Sequence, residues 1–233
     1  MTNLMNESQK MLIVNADDFG RSVGVNQGVA IAHEEGIVTS ASLMVRRPAA
    51  ERAVAYALRH PDLSLGLHVE LGEWVYRNGG WEIVEEIPGP VEDEVRRQLA
   101  TFRMLVGREP THLDSHQHVH RQTEAGAFFA DVGRQLGVPV RALDPRIRFC
   151  GDFYGQTSKG EPLPNAIGVD ALLELLGGLP AGVTELGCHP GVRTDNDLPY
   201  GRERSIEVRT LCDSRIREAI DSYQIELRSF AQV

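Results

Sequence analysis

Short apolar runs alternate along the chain with segments in which apolar residues recur at helical spacing. Residues 11–16 (MLIVNA) form the first run, which is typical of a strand buried on both faces of a parallel sheet. Residues 24–35 follow with Val25, Val29 and Ala32 on one helical face, and Gly36 ends this predicted helix. The pattern predicts further strands at 38–45, 63–71, 111–115, 138–142 and 183–187, and further helices at 48–59, 91–105, 124–136, 169–176 and 205–220.

This order of elements predicts an α/β fold. Roughly six or seven β-α units fit either a (β/α) barrel, incomplete or distorted, or an open doubly wound sheet. In both architectures, ligands bind at the carboxyl ends of the strands. Residues 72–88 interrupt the alternation with several glycines and with Trp74, Tyr76 and Trp81, and we expect an aromatic surface loop that helps to shape the pocket.

The composition favours one globular domain. Of the 233 residues, 42% are hydrophobic and 24% are charged, which excludes wholesale disorder. No repeat and no long Pro/Gly/Ser linker divides the sequence, so we expect a single domain at 11–233 after a flexible, polar tail at 1–10. This tail lacks the apolar segment of a signal peptide, and no apolar run is long enough to cross a bilayer.

The charge and the cysteine content indicate which binding partners and which cellular compartment to expect. The formal net charge of -9 disfavours nucleic acid and anionic membranes and favours a neutral or cationic small molecule. The three cysteines, Cys150, Cys188 and Cys212, are widely spaced and form no CxxC motif, so neither a disulfide framework nor a zinc knuckle is indicated. We therefore expect a cytoplasmic protein.

Side chains with metal-binding or acid–base chemistry follow the predicted strands. Adjacent buried carboxylates require a counter-charge. One carboxylate with two imidazoles is a common ligand set for a divalent metal and leaves positions for water or substrate. We assign Asp18, His68 and His116 to such a site. The polar residues at the strand ends are Asn15, Asp17, Asp18, His68, Glu70, Asp114, His116, His118, His120 and His189.

Each of these residues alone also has a structural explanation. The Asp-Asp pair suits a turn that caps the following helix, and a lone histidine suits a hydrogen-bonded core position. His116, His118 and His120 favour a functional site, because three alternating histidines on one extended segment point the same way. The remaining histidines, to which we assign no role, are His33, His60 and His112.

Five segments of the chain resemble the YdjC-like carbohydrate deacetylases, which include chitooligosaccharide deacetylases and deacetylases of hopanoid biosynthesis. The segments are NADDFG (15–20), GIVTS (36–40), GLH (66–68), THLDSHQHVH (111–120) and CHP (188–190). The resemblance implies a distorted (β/α) barrel related to the polysaccharide deacetylases, a homodimer, and removal of the N-acetyl group from an acetylated amino sugar or short oligosaccharide. It also implies one divalent metal ion, which is magnesium by this resemblance, with zinc, manganese or cobalt as alternatives.

Carried over by position, the resemblance assigns Asp18, His68 and His116 to the metal, Asp17 to the catalytic base and His189 to the catalytic acid. Amide hydrolysis needs an activated water, a stabilised oxyanion and a proton for the leaving amine. A bound metal supplies the first two. A histidine suits the third because it titrates near working pH.

Further residues are predicted around these five. Asp114, His118 and His120 orient the ligand imidazoles or close the site. Arg141 ends the predicted strand at 138–142, where it either pairs with Asp17 and lowers the pKa of that carboxyl or lies in solvent.

Two residues bear on the substrate. Arg46 stands where related proteins have asparagine, and it binds a phosphate or carboxylate on the sugar if it reaches the mouth of the site. A solvated arginine is the alternative. Trp74 stacks on a pyranose ring or anchors its own loop.

Other functions are compatible with the same residues. Water activated on a cation also serves a phosphoesterase or another hydrolase. Two histidines and a carboxylate also bind iron in non-heme oxygenases, although the order Asp, His, His on an α/β chain argues against that class. A sugar-binding protein that retains an inactive site is the non-enzymatic alternative.

Overall fold

A parallel sheet lies at the centre of the computed structural model, which describes residues 9–87, 89–192 and 200–233. The strands are β1 (Lys10–Phe19), β2 (Ser40–Leu43), β3 (Ser64–Val69), β4 (Glu73–Arg77), β5 (Gly80–Glu85), β6 (Leu113–Ser115), β7 (Ile147–Cys150), β8 (Gly182–Cys188) and β9 (Ile225–Arg228). The parallel strands follow the order β6-β3-β2-β1-β8-β7, and β9 pairs with β1. The helices are α1 (Val23–Glu34), α2 (Ala50–Ala57), α3 (Val91–Val106), α4 (Thr123–Leu136), α5 (Val169–Gly177), α6 (Gly201–Leu211) and α7 (Ser214–Ser222).

The sheet is curled, so that its two edges approach each other. Beyond β6, Val140 forms an isolated parallel bridge to Leu113. The next residue, Arg141, donates a hydrogen bond from Nε to Glu185 of β8 at 2.7 Å, and β8 lies beside the opposite edge strand. Helices pack against this sheet, as α1 does on β1 and α3 on β3. The predicted distorted (β/α) barrel is therefore confirmed as a curled parallel sheet with helices around it.

Strand β1 is central because it is apolar and has partners along both edges. It pairs with β8 over residues 10–16, and with β9 and then β2 along its other edge. All of its residues from Leu12 to Phe19 are buried. Such burial on both faces is usual for parallel sheets. Between Ala16 and Phe19 the register with β2 shifts, which marks a β-bulge.

The apolar faces of the helices form the core with the sheet. Helix α1 buries Val25 and Val29, as their spacing predicts. Helix α3 buries Val95 and Phe102 in the same way. These residues belong to one continuous apolar cluster with the side chains of β1, β2 and β3.

The prediction of a loop at 72–88 is wrong for most of its length, because β4 and β5 form an antiparallel hairpin there. Asn78 and Gly79 make the turn with positive φ angles of 51° and 85°, a sequence that favours tight hairpins. Tyr76 and Trp81 are cross-strand partners whose rings meet edge to face at 5.6 Å between centroids. Pro88, the last residue of the predicted loop, lies outside the described residues.

Two further predictions differ from the structure, and two strands were not predicted. The predicted helix at 205–220 is two helices, because α6 ends at Leu211 and the Asp213 side chain caps α7 by accepting from Arg215 N at 3.0 Å. The predicted strand at 138–142 is only the single bridge at Val140. Strands β7 and β9, each of four residues with polar positions, were not predicted.

At the amino-terminal end, β1 begins at Lys10, and the carbonyl of Gln9 accepts a hydrogen bond from Gly182 N at 2.8 Å. Residues 1–8 of the predicted tail lie outside the described residues. Within the described parts of the chain, no helix combines the length and apolar character that crossing a membrane requires.

Candidate active site

The bulge in β1 directs two adjacent carboxylates toward one cavity. In a regular strand, neighbouring side chains point to opposite faces. The bulge and the left-handed backbone of Asp18, with φ at 64°, interrupt this alternation. Asp17 and Asp18 are both buried, and both line the same cavity. A non-glycine residue in this conformation is typical of functional sites, where local strain is retained.

Asp18, His68 and His116 converge at the carboxyl edge of the sheet. Oδ1 of Asp18 lies 3.4 Å from Nε2 of His68 and 3.2 Å from Nδ1 of His116. One ligand atom of each residue lies within 4.8 Å of the ligand atoms of the other two. Among the described residues, the buried Oδ1 of Asp18 has no hydrogen-bond partner. A carboxylate oxygen and two imidazole nitrogens in this arrangement fit a divalent metal ion.

Asp114 fixes the orientation of His68. Nδ1 of His68 lies 2.7 Å from Oδ1 of Asp114 and donates to it, so that Nε2 faces Asp18. Burial disfavours a charge on His68, but the carboxylates of Asp114, Asp18 and Asp17 outweigh burial and raise the pKa of His68 to about 10. The same negative charge favours a metal cation, which competes with the proton for Nε2. A carboxylate on the second nitrogen is the usual support of a metal-binding histidine.

Asp17 forms a two-point ion pair with Arg141. Nη1 and Nη2 of Arg141 donate to Oδ2 and Oδ1 of Asp17, each at 2.6 Å. Nδ2 of Asn15 donates to Oδ1 at 2.8 Å. Burial by itself raises the pKa of Asp17, but the Arg141 guanidinium outweighs burial and lowers it. Asp17 is therefore an ionised carboxylate, and the contact expected between Asp17 and Arg141 is present.

Arg141 also contacts two further carboxylates. Nη2 also lies 2.9 Å from Oδ2 of Asp114, and Nε donates to Glu185 at 2.7 Å. The alternative of a solvated arginine is excluded because Arg141 is buried. Burial raises the pKa of Glu185 to about 7 in spite of Arg141.

His189 follows β8 and faces Asp17. Its Nε2 lies 3.8 Å from Oδ2 of Asp17. Burial lowers the pKa of His189 to about 4 despite the nearby carboxylates of Asp17 and Asp18, so the imidazole is neutral near pH 7. Nδ1 of His189 lacks a hydrogen-bond partner within the part of the chain that the structure describes.

Helix α6 and its N-cap supply three site residues that the sequence analysis missed. Glu207 accepts a hydrogen bond from the backbone N of His189 and, at 2.6 Å, from the hydroxyl of Tyr200. Arg204 donates to Oδ2 of Asp18 and, at 3.3 Å, to the carbonyl of His189. Tyr200, Arg204 and Glu207 recur at helical spacing on one face. That spacing was the only sequence signal, and it is also the spacing of any buried helix face.

The prediction that 116–120 is extended is wrong. Residues His116–Arg121 form a short 3₁₀ helix in which Gln117 and His118 have left-handed backbone angles, with φ at 53° and 54°. The three alternating histidines therefore do not share one direction.

The histidines of this turn have separate environments. His116 faces Asp18. The ring of His118 packs against Phe149 at 5.2 Å between centroids, and His118 lines the cavity. His120 is buried away from the cavity, with Nδ1 at 2.7 Å from the Ser115 hydroxyl and Nε2 at 3.0 Å from the Arg141 carbonyl. Of the three, only His116 reaches Asp18.

A cavity of about 1080 Å³ is lined by Asp17, Asp18, His68, His116, His118 and His189. Trp74, Tyr76 and Trp81 of the β4–β5 hairpin contribute an aromatic part of its wall, and Tyr154 contributes another. The peptide of Trp74 is fixed by the side chain of Gln117, which accepts from Trp74 N at 2.9 Å and donates to Trp74 O at 2.8 Å. The aromatic hairpin is therefore tied to the turn that carries His116.

Arg46 does not line the cavity. It lies 3.8 Å from Glu85 of the hairpin and 3.7 Å from Glu94 of α3. Its neighbour Arg47 pairs with the buried Glu70 and, at 2.9 Å, with Glu85. Both arginines therefore attach the hairpin to the body of the protein.

Fold and site together define an α/β barrel protein with a candidate metal-dependent hydrolytic centre. The family model described as YdjC-like protein matches residues 11–222, and the chain belongs to this family. The family predicted from the sequence motifs is thereby confirmed.

Curated relatives match over nearly the whole chain. The carbohydrate deacetylase of Brevibacillus brevis is 31% identical over 254 residues, covering 95% of this chain and 99% of the relative. The chitooligosaccharide deacetylase of Serratia marcescens is 38% identical over 252 residues, covering 95% and 98%.

Solved structures extend the comparison. A protein of Enterococcus faecalis V583, provisionally named for cellobiose-phosphate cleavage, superposes with a TM-score of 0.77 at 25% identity and covers 96% of this chain and 98% of that one. A family 4 carbohydrate esterase of Streptomyces lividans, solved with acetate, gives a TM-score of 0.58 at 13% identity, with coverage of 94% and 92%. The second likeness shows the fold alone, and it agrees with the predicted relation to polysaccharide deacetylases.

Proposed function

We propose that this protein is a metal-dependent carbohydrate deacetylase that removes the N-acetyl group from an acetylated amino sugar or a short oligosaccharide. The observation that carries the proposal is the convergence of Asp18, His68 and His116 beside the facing pair Asp17 and His189. The names of the curated relatives, which are hydrolases acting on carbohydrates, support it.

Asp18, His68 and His116 are the proposed metal ligands. When bound, the ion acidifies water and polarises the acetyl carbonyl. Magnesium is the proposed ion on the family resemblance, and the two imidazoles also suit zinc, manganese or cobalt. Arg204 occupies the second oxygen of Asp18 and thus leaves Oδ1 to face the two imidazoles.

Asp17 is the proposed base. Its carboxylate is ionised and directed by Arg141, so it accepts the proton of the attacking water. The Arg141 bonds also prevent Asp17 from turning toward the metal ligands. Asp17 therefore acts as the base while the adjacent Asp18 acts as the metal ligand.

His189 is the proposed acid. Because its imidazole is neutral before reaction, it takes a proton from Asp17, whose Oδ2 lies 3.8 Å from Nε2, and passes that proton to the leaving amine. Once Asp17 has given up the proton, its negative charge stabilises the imidazolium form of His189. Glu207 holds the His189 peptide during this transfer.

The cavity wall supports a sugar substrate. Trp74, Tyr76 and Trp81 present aromatic rings of the kind that stack on pyranose faces. We also place Asp114, His118 and His120 around the proposed ligands. Of these, Asp114 hydrogen-bonds to His68 directly. A cytoplasmic location, consistent with three free thiols, and a homodimer, on the family resemblance alone, belong to the same proposal.

A screen of N-acetylated mono- and disaccharides for released acetate tests the proposal. We expect acetate release that a chelator abolishes and that added Mg²⁺, Mn²⁺, Zn²⁺ or Co²⁺ restores. Release of phosphate from sugar phosphates without acetate release would instead indicate the phosphoesterase. Sugar binding without any turnover would indicate an inactive binding protein.

A further inference from the structure

A chain of hydrogen bonds leads from the amino-terminal end of β3 to His68. Ser64 Oγ donates to Thr111 Oγ1 at 2.8 Å, and Thr111 Oγ1 lies 3.0 Å from Nδ1 of His112. Nε2 of His112 lies 2.9 Å from Ser42 Oγ, which donates to Oδ2 of Asp114 at 2.7 Å. The other oxygen of Asp114 accepts from His68, as described above.

The direction of every bond in this chain follows from the number of protons. An ionised carboxylate only accepts, so the single hydroxyl proton of Ser42 goes to Asp114. Ser42 Oγ must then accept from Nε2 of His112, which places the proton of the neutral imidazole on Nε2. Nδ1 of His112 consequently accepts from Thr111, whose oxygen accepts from Ser64.

His112 is held tightly in this chain. It is completely buried, and its ring stacks on Phe230 at 3.8 Å between centroids. A Cβ atom at Gly66 would lie only 2.4 Å from the His112 ring, so position 66 admits no side chain. Burial lowers the pKa of His112 to about 3, which keeps the imidazole neutral.

We propose that His112 is a positioning residue of the metal site. As a neutral imidazole protonated on Nε2, it donates to Ser42 Oγ and holds that hydroxyl on Asp114, whose other oxygen orients His68 so that Nε2 faces Asp18. This inference rests on the proposed function only in that His68 binds the cation. It assigns a purpose to two residues of the sequence motifs, Gly66 and His112, that the catalytic roles leave unexplained.

The affinity of the full-length protein for Mn²⁺, measured by electron paramagnetic resonance of the free ion, tests the proposal. His112→Phe keeps the stacked ring and removes both nitrogens, and Ser42→Ala removes the next link. We expect each variant to weaken Mn²⁺ binding by about 10- to 100-fold. Because both changes break one chain, the double variant should be little weaker than either single variant.

Two variants provide controls. His112→Gln supplies an N–H donor near the position of Nε2 and should restore most of the affinity. His60→Phe replaces another stacked histidine, whose ring lies 4.0 Å from that of Tyr56, and should leave Mn²⁺ binding unchanged. If His112→Phe fails to fold, Ser42→Ala, which removes a single oxygen atom, decides the question.

The tautomer of His112 is a second readout that a merely space-filling histidine would not determine. Nitrogen-15 NMR of the wild-type protein should show the proton on Nε2 and a bare Nδ1. The opposite tautomer, unchanged Mn²⁺ affinity in His112→Phe and Ser42→Ala, or strictly additive losses would overturn the proposal. These measurements need no substrate, so they decide it even if the wild-type protein binds Mn²⁺ and releases no acetate, a result that contradicts the proposed function alone.

Discussion

Asp17 and Arg141 are separated by 124 positions in the sequence and form a buried, two-point ion pair with both contacts at 2.6 Å. The pair joins the bulge of β1 to the segment that follows α4. Because the geometry is bidentate, Arg141 controls both the charge and the direction of Asp17.

Asp17→Asn is expected to lower kcat by about 10²- to 10⁴-fold, because the amide cannot take a proton from water. The affinity for Mn²⁺ should persist, since the proposed ligands are untouched. Asp152→Asn, a change at another cavity-lining aspartate, is the control and should retain activity. Full activity of Asp17→Asn would show that Asp17 is not the base.

Arg141→Met should destabilise the protein by about 3–5 kcal/mol, because it leaves Asp17, Asp114 and Glu185 buried without their shared counter-charge. Urea unfolding measures the loss. Arg134→Met removes an exposed ion pair with Asp131 and should cost less than about 1 kcal/mol. Equal effects of the two changes would show that Arg141 does not neutralise the cluster.

Glu207→Ala should lower kcat by about 10²-fold with little effect on Mn²⁺ binding, because the His189 peptide loses its anchor. Glu207→Gln keeps an acceptor oxygen for that peptide and should lose less. Glu218→Ala on α7, an exposed position, is the control. A loss of Mn²⁺ affinity as large as the loss in kcat would place the effect at the ligands instead of at His189.

The buried His112 makes stability depend on pH. Its pKa is lowered by burial from the usual 6.5 to about 3, so below pH 6.5 the unfolded chain binds a proton that the folded chain does not. Above pH 6.5, His112 therefore does not make the free energy of unfolding depend on pH. Below pH 6.5, it lowers the free energy of unfolding by about 1.4 kcal/mol for each pH unit. Urea unfolding measures this fall in the free energy of unfolding. Between pH 6.5 and about pH 5, the fall should be about 2 kcal/mol smaller in His112→Gln than in the wild-type protein. An identical pH dependence in wild type and variant would contradict a neutral, buried His112.

Trp81 has 56% of its surface exposed and lines the cavity from the hairpin. Trp81→Ala should raise KM for an acetylated disaccharide by roughly fivefold, about 1 kcal/mol of lost stacking, while kcat and the melting temperature stay unchanged. Ile83→Ala, on the same face of the hairpin but outside the cavity lining, is the matched control. If both changes alter KM equally, the hairpin contributes only its shape.

The sequence was sufficient to predict that the three proposed ligands come together, because they stand at strand ends within recognisable motifs. Asp18, His68 and His116 each follow or end an apolar run, and parallel strands bring such ends together. The contact of Arg141 with Asp17 was predicted for the same reason, because Arg141 stands at the end of a predicted strand. The aromatic hairpin was missed although Asn78 and Gly79 signalled its turn, because glycines and polar residues around it obscured the alternation.

Arg204 and Glu207 could not be predicted in the same way. They lie on a helix, where charged residues usually face solvent, and their partners Asp18 and His189 are distant in sequence. His112 was set aside because it precedes a strand. Its importance depends on the stacking of Phe230 and on the missing side chain at Gly66, which only three-dimensional packing reveals.

The bulge in β1 has a consequence for redesign. Deleting one residue between Ala16 and Phe19 would restore an unbroken ladder with β2, but the residues at that step are Asp17 and Asp18, so the site would lose one of its two carboxylates. A barrel with a fully regular β1 would therefore be inactive. Any attempt to stabilise this scaffold by regularising its strands must therefore keep the irregular step that Asp17 and Asp18 occupy.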